Sequence, residues 1–360
     1  MKQFYNIAFT LLFLPVLVFG HNGKGKYTEK KTIEKEYTVN PDAGLKVNNS
    51  YGNIDIATWN ENRTVIVVTI ITNGDNEEKV KERLKEIDVE FSGNSSLVSA
   101  TTRFGHKKKS WNSWWGSNNK NVHIEVNYTI KLPVTNTVDL NNDYGTINID
   151  KLEGKARINC DYGQLIIGDL MADDNYLNFD YTNKSSIGYM KSGKISADYS
   201  GFTLDKAENV ELNADYTKSE IVEAGDVNYN CDYGKVEIGQ VTNLYGRGDY
   251  VTNRIGTVNG NLNLNTDYGS IRVDRLSSTA KDVTITADYT GVKIGYDANY
   301  HFDFVINLRY AGLNGDEDFN VRHSSKEGSG KRYSGYHGTE GSGNNVSINS
   351  DYGGVTFIKY

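Results

Sequence analysis

The chain has 360 residues, with 25 tyrosines, 36 glycines, three prolines, two cysteines and a formal net charge of −7. That charge excludes broad electrostatic attraction to nucleic acid or anionic lipid, and two cysteines are too few for a disulfide scaffold. The abundant Tyr, Asn, Thr, Ile and Val favour strands over helices.

Residues 1–20 read as a secretion signal, with Lys2 at the start, an apolar run from Ile7 to Phe19 and small Gly20 at the cleavage point. The run is too short to span a bilayer, and polar His21, Asn22 and Lys24 follow at once. No cysteine stands at the cleavage point to carry a lipid anchor. The expected address is outside the inner membrane: periplasm, outer-membrane surface or extracellular space.

Residues 21–132 read as an N-terminal strand-helix-strand cap. A strand is predicted over 64–71 and an amphipathic helix over 76–87, with Val80, Leu84 and Ile87 on one face. Further strands are predicted over 87–91, 97–102 and 122–132. Such a cap shields the first edge of whatever follows. Between its last two strands lies an exposed loop, residues 104–120, containing HKKKSWNSWWGSNNK from His106.

From residue 133 to the end the chain repeats. Asp-Tyr pairs end at Tyr144, Tyr162, Tyr181, Tyr199, Tyr216, Tyr233, Tyr250, Tyr268 and Tyr289, spaced 17 to 21 residues apart, and again at Tyr352. Tyr310 has the spacing but not the Asp. Apolar residues stand four before most of these tyrosines (Leu140) and, in many repeats, six before (Val138) and three and five after (Ile147, Ile149), with polar residues between. Alternation of period two on both sides of a turn means two half-buried strands per repeat. One such pair cannot bury its apolar face alone, whereas stacked copies can. The predicted fold is therefore all-β: a parallel β-solenoid (β-helix) of about eleven or twelve rungs, roughly 55 Å long at the usual strand spacing. The Gly/Ser-rich stretch 327–344 reads as part of a loop inserted at about 315–345. Asn175, Lys184 and Gly246 are the weak points of the pattern.

The segments VNNSYGNIDI from Val47, and YTIKLPV from Tyr128 leading into LNNDYGTINI from Leu140, resemble the bacterial putative-adhesin domain family of β-solenoid envelope proteins. The resemblance covers nearly the whole mature chain. It implies a Gram-negative envelope or surface location, and it carries no catalytic residues to transfer.

Three features are candidate sites. In-register rungs put the Asp residues in a row, with Asp161, Asp180, Asp198, Asp215 and Asp232 as candidate metal ligands. Either each Asp caps the N–H groups of its own Tyr-Gly turn, or Ca²⁺ sits along the row. Asn141, Asn159, Asn178, Asn213, Asn230, Asn265, Asn307 and Asn349 form a parallel row pointing out, for rung-to-rung amide bonds. Trp111, Trp114 and Trp115 beside Lys107, Lys108 and Lys109 are candidate ligand-binding residues, for sugar stacking or peripheral contact with a membrane; alternatively the loop folds back on the cap. The two NCDYG segments place Cys160 and Cys231 four rungs apart, too far for a disulfide, as small buried fillers.

No enzyme is expected. Acids that recur in every rung mark folding and not one active site, and the chain has no HExxH, GxSxG or Walker motif. The predicted role is an exported non-enzymatic adhesin whose rod displays a repetitive surface to a glycan, another surface or an envelope protein. The alternatives are a structural or sensory periplasmic protein that binds another envelope protein, and a polysaccharide-active β-helix enzyme.

Overall fold

The computed structural model describes residues 25–105 and 122–360, arranged as one large, mostly parallel sheet with a single helix, Glu77–Lys85, among the described residues. The architecture is all-β and solenoid-like. Its unit is visible in the strands Thr137–Asp143 and Thr146–Leu152, which meet at Tyr144. Val138, Leu140 and Asn142 point inward from the first, and Ile147, Ile149 and Leu152 from the second. The next unit lies on it in parallel register, Leu140 against Ile158 and Ile147 against Leu165, so like residues stack into continuous inner columns.

The three weak points of the repeat have local explanations. Lys184 adopts φ 61 as an extra residue, which shifts the inward places to Ser185 and Ile187. Asn175 is buried but satisfied: its amide donates to the carbonyls of Ala172 (2.7 Å) and Ser192 (3.0 Å), and its oxygen accepts from Ala156 N–H. Gly246 leaves room for a neighbour. The buried Tyr229 ring lies where a Cβ at 246 would come within 2.1 Å of it, in register one rung away.

Both ends depart from sequence order. Gly44–Ser50 and Ile54–Trp59, which the sequence assigns to the cap, form a true rung around Tyr51. It pairs in parallel with the Tyr144 rung on one side and with Leu97–Phe104 and Val122–Pro133 on the other. Outside these lie antiparallel strands, Ile87–Gly93 on one face and Arg63–Gly74 then Tyr27–Thr38 on the other. The helix rests on the last two, with Val80 buried and Asn76 capping Lys79 N–H at 2.9 Å.

At the other end the expectation of an inserted loop over 315–345 is corrected. Residues in that range form a hairpin, Asn320–Glu327 and Gly330–His337, whose second strand pairs antiparallel with Phe302–Arg309. Gly328 makes its turn and Gly338, Gly341 and Gly343 bend the chain after it, all at positive φ, and both faces of its first strand are exposed, so no apolar alternation marks it in the sequence. The last rung in the sequence, Asn345–Asp351 with Val355–Lys359, is not the last in space. It sits between the Tyr289 and Tyr310 rungs, pairing in parallel with both. An aromatic cluster of Tyr296, Phe302, Phe304, Phe319, Phe357 and buried His337 fills this end.

Candidate functional site

The corner of each rung explains why Asp-Tyr recurs. Tyr51 and the eleven corner tyrosines after it all lie in the left-handed region, φ 48 to 63, a conformation that costs a non-glycine residue about 1–2 kcal/mol. The reward is directional. At the bend Tyr144 N–H donates to Asp161 C=O of the next rung at 2.9 Å, and the same bond recurs through Tyr289 to Asp351 and Tyr352 to Arg309. The bend also throws every ring outward onto its neighbour.

Twelve rings stack into one ladder, running Tyr51, Tyr144 and so on to Tyr289, Tyr352 and Tyr310. Centroids are 4.6 to 5.3 Å apart and planes lie within 1 to 11° of parallel. Phe104 closes the first end edge-on to Tyr51. Each ring is nonetheless about half exposed, from 46% at Tyr352 to 61% at Tyr310. Ring faces this close admit no ligand between them, so the ladder offers solvent its edges and hydroxyls. Desolvation within the stack, then the neighbouring rings, then the flanking aspartates push the Tyr162 and Tyr199 phenols above their usual range.

The aspartates run beside the ladder in register, Asp143 on Asp161 on Asp180 and onward. Hydrogen bonds from rung to rung hold the middle of the row. There four carboxylates accept an N–H from the Asp of the adjoining rung: Asp198 N–H to Asp180, Asp215 to Asp198, Asp232 to Asp215 and Asp249 to Asp232, at 2.8 to 3.2 Å. These bonds oppose a like-charge repulsion of about 1 kcal/mol per neighbouring pair at the dielectric of water. Burial first, then adjacent carboxylates, hold Asp161 and Asp267 above the ordinary carboxylate range. One oxygen of Asp161 is buried without a partner. Among the described residues no group of three or more His, Cys, Asp or Glu converges enough to hold a metal ion.

The amide row behaves as the sequence suggests at both ends, with Asn307 Nδ2 donating to Asn349 at 2.8 Å and Asn141 to Asn48 at 3.4 Å. Cys160 and Cys231 are free and buried, and burial pushes both thiols up to about 12. At the opposite corner a groove of about 450 Å³ gathers Asp173, Glu211, Asp226 and Lys194. Its acids are engaged rather than paired with each other: Asp173 with Lys191 (2.6 Å), Glu211 with Lys194 (2.7 Å) and Asp226 with the Asn243 amide (2.7 Å).

Trp111, Trp114, Trp115, Lys107, Lys108 and Lys109 lie outside the described residues. The strand ends that bound their segment, Phe104 and Val122, stand at the Tyr51 end of the ladder, beside a concavity of about 630 Å³ lined by Tyr51, Arg83, His123 and Tyr144. Sequence reasoning sought binding in the tryptophans and passed over the ladder. One Tyr per turn is legible in the sequence, but the left-handed bend that turns each ring to solvent is not.

No family model matches the chain, and no curated protein matches it. Solved structures similar to it include the following three. A putative cell adhesion protein from Clostridium sporogenes is 13% identical, over 92% of this chain and 100% of that one, with a TM-score of 0.17. A putative adhesin from Parabacteroides distasonis is 9% identical over 91% and 97%, with a TM-score of 0.30. A putative lipid binding protein from the same organism is 8% identical over 91% and 96%, with a TM-score of 0.31.

Proposed function

We propose that this is an exported, non-enzymatic adhesin of the cell envelope, which binds through a surface repeated along its stack. The observation that carries this reading is the tyrosine ladder: twelve half-exposed aromatic side chains in one unbroken strip. Soluble proteins rarely leave so much contiguous aromatic surface in water without a use for it. Rigid aromatic edges also lose little side-chain entropy on contact, which suits a surface meant for binding.

The test is adhesion of the purified mature protein to immobilised glycans and to cell surfaces. Two variants are compared with the parent: Tyr199→Ser with Tyr216→Ser and Tyr233→Ser, and Trp111→Ala with Trp114→Ala and Trp115→Ala. The ladder variant should lose most adhesion while keeping its strand signal by circular dichroism. If only the tryptophan variant loses it, the binding surface is the loop. Protease added to whole cells should cleave the protein; complete protection would favour the periplasmic partner role.

A further inference from the structure

We propose that the exposed tyrosine ladder is a docking strip for a linear aliphatic polyamine laid along the stack. The inference rests on the reading of the strip as a binding surface and names what its chemistry selects.

The strip is one-dimensional and alternates at a fixed repeat. From Tyr144 to Tyr352 it offers, every 4.6 to 5.2 Å, an apolar ring edge with a phenol hydroxyl, and beside it an aspartate. In the middle of the row one carboxylate oxygen is held by the next rung's N–H: Asp198 accepts at 3.1 Å, Asp215 at 2.9 Å and Asp232 at 2.8 Å. Asp198 and Asp215 are exposed, which leaves their second oxygens to an incoming donor. A complementary ligand therefore needs cations about 5 Å apart, joined by apolar segments thin enough to lie on ring edges. Two amines separated by three methylenes span four bonds, roughly 5 Å when extended. A four-carbon spacer is about one bond longer and drifts out of step within a few rungs.

Other occupants fit less well. Ca²⁺ needs six to eight oxygens around one point, whereas these carboxylates are strung out singly. A sugar ring stacks on aromatic faces, and here neighbouring rings close the faces. A second copy would bring a second acidic row against the first.

The ends of the row agree with an open stretch between them. At Tyr310 the Asp is replaced by Arg309, which pairs with Asp351. At Tyr51 it is replaced by Ser50, whose hydroxyl donates to Asp143 at 3.3 Å. Burial first, then neighbouring carboxylates, raise Asp161 and Asp267, and bound ammonium groups would lower both.

The experiment is calorimetric titration of the mature protein at low ionic strength with two tetraamines: norspermine, with three-carbon spacers throughout, and spermine, whose central spacer has four. Norspermine should bind several-fold more tightly. Replacing Asp198, Asp215 and Asp232 with Asn, which keeps an oxygen for each backbone N–H, should weaken norspermine on the order of tenfold, since each exposed ion pair is worth a few-fold at most. Replacing Glu208, Glu211 and Glu223 with Gln removes the same charge elsewhere and should change affinity little. Melting temperatures confirm that both variants fold. Equal affinity for the two amines, or equal loss in both variants, would overturn the proposal as mere counterion attraction. Absence of norspermine binding with adhesion still dependent on Tyr199, Tyr216 and Tyr233 would overturn it too, and leave the adhesin reading standing.

Discussion

At the residue scale, each corner tyrosine balances a strained backbone against two ring contacts. Tyr199 has φ 51 and stacks on Tyr181 at 5.1 Å and Tyr216 at 4.8 Å. Stacked aromatic pairs are worth about 0.5–1.5 kcal/mol each beyond the area they bury. Tyr199→Ala should therefore lose about 1–3 kcal/mol in urea unfolding, since it keeps the strain and forfeits both contacts. Tyr199→Gly loses the same contacts but relieves the strain, so it should be the more stable of the two by about 1 kcal/mol. Equal stability would mean that the left-handed corner costs nothing. Asp161 makes a prediction in pH. Its folded-state carboxyl is raised above the ordinary 3.8, first by burial and then by Asp180. The folded state therefore binds the proton more tightly than the unfolded one. Stability from this group is complete below 3.8 and is lost as pH rises through the folded value. Asp161→Asn should raise the melting temperature at neutral pH and leave it unchanged in acid below 3.8; a gain of equal size at both would rule out titration as the cause.

At the element scale, compensation between rungs replaces repetition within them. Gly246 and Tyr229 occupy the same column in adjoining rungs, small against large, and the Tyr229 hydroxyl reaches Asn253 at 2.5 Å. Gly246→Val restores the apolar residue the repeat calls for, yet its Cβ would meet the Tyr229 ring at 2.1 Å. Overpacking of this kind costs about 1–3 kcal/mol. With Tyr229→Leu in the same chain most of that cost should disappear, a coupling that a double-mutant cycle in urea measures directly. Additive effects would show that the two residues do not share their space. The same logic sets what was legible. Val138, Leu140, Ile147 and Ile149 announce their strands because one face is buried and the other wet. Asn320–Glu327 is exposed on both faces, so nothing in its polarity distinguishes a strand from a loop. Asn175 reads as a flaw because its partners, Ala172, Ser192 and Ala156, come from turns and from another rung.

At the scale of the whole molecule, both ends are closed by a rung taken out of order. The Tyr352 rung lies inside the Tyr310 rung, and the Tyr51 rung lies inside the strands that follow it in the chain. Each therefore has parallel partners on both sides, where a terminal edge would invite pairing with other chains. Removing residues 345–360 should do more than shorten the stack. Phe302–Arg309 would lose its parallel partner, and the aromatic end cluster would lose Phe357. Limited proteolysis of the shortened chain should cut within residues 302–337 while the rungs up to Tyr289 stay protected, because neighbouring units in such stacks depend mainly on each other. Protection of 302–337 would show that the end folds without the intercalated rung. The sequence by itself determined the strand-turn-strand unit, its parallel register and its inward columns, since a period of two and a recurring corner are local facts that every repeat states again. Only the tertiary structure decided the order in which rungs stack and that the tyrosines face water. Rung order depends on which edges find each other, and ring exposure on a left-handed bend whose hydrogen bond reaches into the next rung; no single repeat encodes either one.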